Sequence, residues 1–292
     1  MFTMIEMRCR ILISQTVSPI KVGITACSNP HPVSFRPELA VLQQTLRELG
    51  QESVCSPYLF SDECGLSGSG TDRADALMQL FHDPEIRNIY DISGGDMANE
   101  VLIHLNYDEI RESSATFWGY SDLTTVINAI YTRTGKPSVL YQIRNLTGDD
   151  AALQQARFRN EEELFHFSYD FLQGTSMSGP VVGGNIRCFL KLAGTPYFPD
   201  LNGKILLLEA LGGRVPQMIT YLSQLEQLGA FRTVNGILLG TFTTMERHGY
   251  VPDMPTLIRN FAGPQVPIAK TAEIGHGSDA RAIRIGSYYE LC

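Results

Sequence analysis

The sequence predicts an α/β protein with a doubly wound, mostly parallel sheet in its first half and a second domain after it. Three observations lead there. Short apolar runs alternate with stretches at helical spacing from Lys21 to Ile143. A polar, partly helical stretch from Arg144 to Pro180, ending in a Ser/Gly cluster, then separates this half from a differently composed one. Finally, 292 residues are enough for two ordinary cores.

Lys21–Ala26 (KVGITA) predicts a buried first strand, followed by a turn-rich CSNPHP segment. Leu39, Leu42, Leu46 and Leu49 recur at helical spacing until Gly50 stops the helix. Ser53–Tyr58 predicts a second strand, and Thr71–Phe81 a helix ended by Asp83-Pro84. Ile89–Ile92, Phe117–Tyr120 and Ser138–Ile143 continue the strands, with a helix over Leu123–Thr132. Such a sheet carries its sites at the carboxyl ends of its strands. Beyond Pro180, Val181–Asn185, Lys204–Leu208, Gly236–Gly240 and Pro267–Ala269 predict strands, and Pro216–Leu228 an amphipathic helix. The division is residues 1–20 as an N-terminal extension or extra strand, 21–145 as the first domain, 146–180 as a linker and 181–292 as the second domain.

Composition excludes several functions. Against 31 acidic residues stand 23 basic ones, a net charge of −8 without any basic block, so neither nucleic acid nor an anionic membrane is an expected partner. The six cysteines are scattered, with no CxxC and no His at metal-ligand spacing, which suits reduced thiols and no metal site. No apolar run approaches the ~18 residues of a membrane span. Charges at Glu6, Arg8 and Arg10 break up the start, so no signal peptide is expected and the cytoplasm is the expected location. A nucleotide-cofactor enzyme ranks low, because GGDMAN does not fit GxGxxG and no phosphate loop follows.

Three features carry chemistry. Asn88–Leu105 (NIYDISGGDMANEVLIHL) predicts a strand, a turn at Gly94-Gly95 and a helix opening near Ala98 with Val101, Leu102 and Leu105 on its inner side. Its backbone N–H groups and dipole end would face outward to hold negative charge. Glu209 closes the KILLLE run, and His276 stands between two glycines in IGHGSD. A carboxylate orienting an imidazole near backbone donors is the arrangement for acyl transfer, and the order turn, acid, histidine matches that of α/β-hydrolases. Read on the residues alone, a solvated Glu and a loop His are the more frequent occupants of such places.

The segments SGGDMANEVL, FWGYSDLTTVINAIYTRTG, VVGGNIRCFLKLAGTPYFPDLNGKILLLE and IGHG, in this order, resemble the LD-carboxypeptidase family of serine peptidases, which includes the microcin C immunity enzymes. The resemblance runs from Val22 to the C-terminus. It implies a Rossmann-like N-terminal domain, a C-terminal domain with a small β-barrel, a cleft site between them, a Ser-Glu-His triad, no cofactor and a homodimer. The implied substrates are murein peptides or peptidyl- and aminoacyl-nucleotides. Carried over, Glu209 takes the acid position, His276 the base and Ala98 the nucleophile position. Gly94, Gly95 and the backbone of Asn99 fall at the oxyanion site, and Asn185 contacts substrate or backbone. Gly119–Asp122 resembles the GYSD motif and is read as a strand end with Asp122 or Ser121 capping the next helix.

A methyl group cannot attack a carbonyl, so with Ala98 as nucleophile position the triad is incomplete. The explanations are a serine deliberately changed to alanine, which is favoured, natural loss of activity, or rescue by Ser93 or Asp96. The alternative function is non-catalytic capture of a peptide carboxylate or phosphate in the same cleft. Phe165, Phe167 and Tyr169 are read as packing residues rather than as a platform for a base.

Overall fold

A computed structural model describes residues 19–292; residues 1–18, most of the expected extension, lie outside the described residues. Strands β1 (Ile20–Thr25), β2 (Gln51–Cys55), β3 (Ile86–Asp91), β4 (Thr116–Gly119) and β5 (Ser138–Leu140) form a parallel sheet in the order 2-1-3-4-5. Helices α1 (Arg36–Glu48), α2 (Gly70–His82), α3 (Tyr107–Glu112) and α4 (Thr124–Thr134) lie in the connections.

Period-2 alternation sends neighbouring residues to opposite faces, and the helices cover both. Tyr90 and Trp118 pack on one side with the α1 leucines Leu39, Leu42 and Leu46. Ile89 and Phe117 pack on the other with Leu77 and Phe81 of α2 and Val126 and Ile130 of α4. In this strand order the chain switches direction between β1 and β3, so a crevice opens beyond their carboxyl ends. The glycine turn at Gly94-Gly95 stands there, bridged to Asn29 after β1.

The expected helix from Ala98 is instead a short 3-10 helix, Ala98–His104. Asn106 ends it by starting α3, its side-chain oxygen accepting from the N–H groups of Asp108 and Glu109. So short a segment has no sustained dipole to offer an anion.

The stretch expected as a linker contains α5 (Ala151–Arg159), α6 (Glu161–Phe165) and strand β6 (Asp170–Gln173). The helical part of the expected linker is thus α5 and α6, and the one buried residue of α5 is polar: Gln154 donates from Nε2 to the carbonyls of Ser278 (2.7 Å) and Ala280 (2.9 Å). Phe165 packs its ring 5.9 Å from that of Trp118, and Phe167 is buried.

The second sheet comprises β7 (Met177–Asn185), β8 (Ile205–Ala210), β9 (Gly236–Phe242) and β10 (Ile268–Lys270), all parallel, with β6 antiparallel at one edge. Strand β11 (Ile283–Ile285) leaves this half of the chain to pair with β5, and β12 (Tyr288–Leu291) returns to the free edge of β7. The expected small barrel is therefore an open half-barrel of six strands. Two parallel-dominated sheets meet where α4 packs on β7, with Asn128 donating to Gly183 O and accepting from Gly183 N, both at 2.9 Å.

Candidate active site

The carboxyl ends of both sheets converge on one place. Glu209, near the end of β8, lies beside Asn185, the last residue of β7. Both Glu209 and the His276 imidazole are almost wholly buried, and His276 Nδ1 lies 2.6 Å from Glu209 Oε2. With Nδ1–H donating to the carboxylate, Nε2 of the neutral ring is left as an acceptor. It points at Ser121 Oγ, 3.2 Å away.

Local sequence seats each group. Gly275, at φ +146°, lets the loop before His276 pass so close to β9 that a Cβ there would fall 1.9 Å from Thr241 Oγ1. The Tyr120 ring packs 4.4 Å from the imidazole, and burial, with Glu209 nearby, holds its phenol well above the ordinary value, so it stays neutral. Glu209 Oε1 is buried with no hydrogen-bond partner among the described residues. A carboxylate so poorly satisfied gains from the imidazole what it lacks elsewhere.

Ser121 stands on a turn between β4 and α4 with φ +54°, the one non-glycine residue of positive φ among the described residues. A serine held there has its hydroxyl thrust out of the turn, at a cost of about 1–3 kcal/mol that the surroundings must cover. They do so through Asp122. This fully buried carboxylate accepts from Ser28 Oγ (2.7 Å) and from the N–H of Ala98 (2.8 Å), and Lys191 Nζ donates to its other oxygen at 2.5 Å. Lys191 Nζ also donates to Asp96 O, and Arg187 to Gly95 O, so the second sheet's first helix, α7 (Ile186–Leu190), and the residue after it hold the glycine turn against the serine turn.

Two cavities meet at Ser121 and Gly95. One, about 430 Å³, is lined by Asn185, Arg187, Gln217 and Tyr221. The other, about 350 Å³, is lined by Gly94, His31, Gln142, Arg144 and His276.

Against expectation, Ala98 does not face the imidazole. It is fully buried in the core, and its N–H is spent on Asp122. The anion held by the start of the 3-10 helix is thus the chain's own Asp122 carboxylate. Asn99, whose backbone was expected at the oxyanion site, is exposed and lines neither cavity. Gly94, Gly95, Glu209, His276 and Asn185 do come together, Asn185 Oδ1 also accepting from Cys188 N as the cap of α7. Neither Ser121 nor Asp122 caps α4 through its side chain. Ser93 is buried, donating to Asp91, while Asp96 is exposed and paired with Arg187, so neither is a substitute nucleophile. Sequence reading missed Ser121 although the signal was present: GYSD places a serine between a buried strand and a helix, as in a nucleophile elbow.

A serine on a strained strand-to-helix turn, an imidazole on its hydroxyl and a buried carboxylate behind the ring are the parts of a serine-type hydrolase site. The chain belongs to the LD-carboxypeptidase family: the family's N-terminal domain model matches residues 22–141 and its C-terminal domain model residues 178–291. It is 27% identical to a Bacillus subtilis protein named "probable murein peptide carboxypeptidase", over 91% of this chain and 86% of that one. It is 22% identical to the Escherichia coli microcin C7 self-immunity protein MccF, over 91% and 88% of the two chains. A solved structure of MccF in complex with aspartyl sulfamoyl adenosine superposes with a TM-score of 0.82 at 20% identity, covering 94% of this chain and 93% of that one. Among the described residues no helix is long and apolar enough to cross a membrane.

Proposed function

We propose that the chain is an active serine carboxypeptidase that cleaves amide bonds of murein peptides in the cytoplasm, as a homodimer, with Ser121 as nucleophile, His276 as general base and Glu209 as the acid member. The observation that carries this is the 3.2 Å approach of Ser121 Oγ to His276 Nε2, made by a residue in a strained backbone conformation.

His276 Nε2 takes the Ser121 proton as Oγ bonds to the substrate carbonyl carbon, and Glu209 stabilises the imidazolium. Backbone N–H groups of the Gly94-Gly95 turn are the donors assigned to the oxyanion. On collapse the C–N bond breaks, the imidazolium gives its proton to the departing amine, and Ser121 carries the acyl group as an ester. Water, deprotonated by His276, then attacks that ester and returns the serine and a free acid. No step draws on a metal or organic cofactor.

The MccF complex with an aminoacyl sulfamoyl nucleotide supports a second substrate class, peptidyl- and aminoacyl-nucleotides. Non-catalytic capture rested on Ala98 as a missing nucleophile, and with a serine against the imidazole no observation favours it. The test is hydrolysis of a murein tetrapeptide and of an aminoacyl-adenylate analogue by the unaltered chain and by Ser121→Ala. Turnover of either substrate that disappears in Ser121→Ala supports the reading; equal rates in both proteins would sink it.

A further inference from the structure

The two cavities flanking Ser121 are chemically unlike, and only one of them contains His276. In acyl transfer the imidazole must hand its proton to the leaving amine, so the leaving group occupies the side on which the imidazole lies. That is the cavity lined by His31, Gln142 and Arg144. The acyl part then extends the other way, toward Asn185, Gln217 and Tyr221.

Arg144 is the unusual group in the leaving-group cavity. It is partly buried, and burial pulls its guanidinium below the ordinary value. Its Nε donates to Gln142 Oε1 (3.3 Å), but among the described residues nothing accepts from its two terminal nitrogens and no carboxylate lies within ion-pair distance. The Asp91 carboxylate favours its charge only from farther off. Arg187, in the acyl cavity, is by contrast already committed to Asp96 and Gly95 O. His31 does not compete as a cation: burial and Arg144 both hold it below its ordinary value, and its Nε2 bonds Ile92 O at 2.9 Å. A guanidinium with a free pair of donors fits one planar oxyanion in two-point fashion.

Resting on the peptidase reading above, we propose that Arg144 is the specificity-determining residue that binds the α-carboxylate of the departing amino acid. Among peptide substrates, those ending in a free carboxylate are thereby preferred over their carboxamides, with one residue released per cycle.

The test compares kcat/KM on a murein tetrapeptide and on its C-terminal carboxamide, for the unaltered chain, Arg144→Ala and Arg144→Lys. Arg144→Ala is expected to lower the rate on the free acid by about 10- to 100-fold, the loss of a charged hydrogen-bonded pair. Its rate on the carboxamide should move less than about threefold, and Arg144→Lys should recover part of the acid preference. A loss shared equally by acid and amide, or no loss, overturns the proposal. Binding of the same two peptides to Ser121→Ala, with and without Arg144→Ala, gives a readout free of turnover: the acid-to-amide affinity ratio should collapse only when Arg144 is gone. Absence of turnover in the unaltered chain would then count against the peptidase reading, while an unchanged ratio would count against Arg144. Weaker binding of aspartyl sulfamoyl adenosine alone, with the ratio intact, also overturns it.

Discussion

Ser121 Oγ and His276 Nε2 stand 3.2 Å apart although 155 positions separate the two residues. Removing the hydroxyl should therefore abolish chemistry without disturbing the fold. Ser121→Ala is expected to lower kcat by about 10³-fold or more, with an unchanged thermal midpoint. Ala98→Ser, at a fully buried site, should bring no gain in rate and should cost about 1 kcal/mol for the added hydroxyl. A higher rate in Ala98→Ser would restore position 98 as the nucleophile site.

The turn itself can be weighed separately. A left-handed backbone at Ser121 is strained for serine and alanine alike but not for glycine. Ser121→Gly should be inactive yet about 1 kcal/mol more stable than Ser121→Ala in urea unfolding. Coincident midpoints for the two variants would show that the turn stores no strain.

In the proposed mechanism Glu209 acts only through the imidazole, which it touches at 2.6 Å. Glu209→Gln keeps the side-chain shape but cannot stabilise the imidazolium, so kcat should fall by about 10³- to 10⁴-fold. Because the groups work as a unit, adding His276→Ala to Ser121→Ala should cost little more than Ser121→Ala does. Additive losses in steady-state assays would argue that the two residues act independently.

Asp122 and Lys191 bind the two halves of the site together. Asp122→Ala leaves a mostly buried ammonium without its counter-ion and the N–H of Ala98 without its acceptor, an expected loss of about 3 kcal/mol. Asp122→Ala with Lys191→Met removes both charges and should recover part of that stability. Chemical denaturation of the two variants decides this, and a double variant no more stable than the single one would contradict it.

Much was legible in the linear sequence. The leucine spacing of α1 and the short apolar runs of β3, β4 and β8 are local patterns, set by which residues of each element must leave water. Glu209, His276 and the glycine turn were recognisable because each ends or follows such a run. The docking of α5, in a stretch that reads only as partly helical, was not, because polar bonds to the backbone at Ser278 and Ala280 hold it in place of an apolar face. Nor was the passage of β11 into the first sheet, whose three residues carry too little periodicity to name a partner.

The nucleophile position is where the two levels part. Strand, turn and helix follow one another both at Asn88–Leu105 and at Thr116–Thr134, and local pattern, with its Gly94-Gly95 pair, ranks the first above the second. Spatial convergence reverses that ranking. Asp122 takes the N–H of Ala98 and closes the first turn onto the second, while β8 and the loop after β10 bring Glu209 and His276 to Ser121. Burial patterns depend on near neighbours along the chain and can be read from order alone. A hydrogen bond between residues on different sheets depends on how those sheets pack, and it exists only once they have done so.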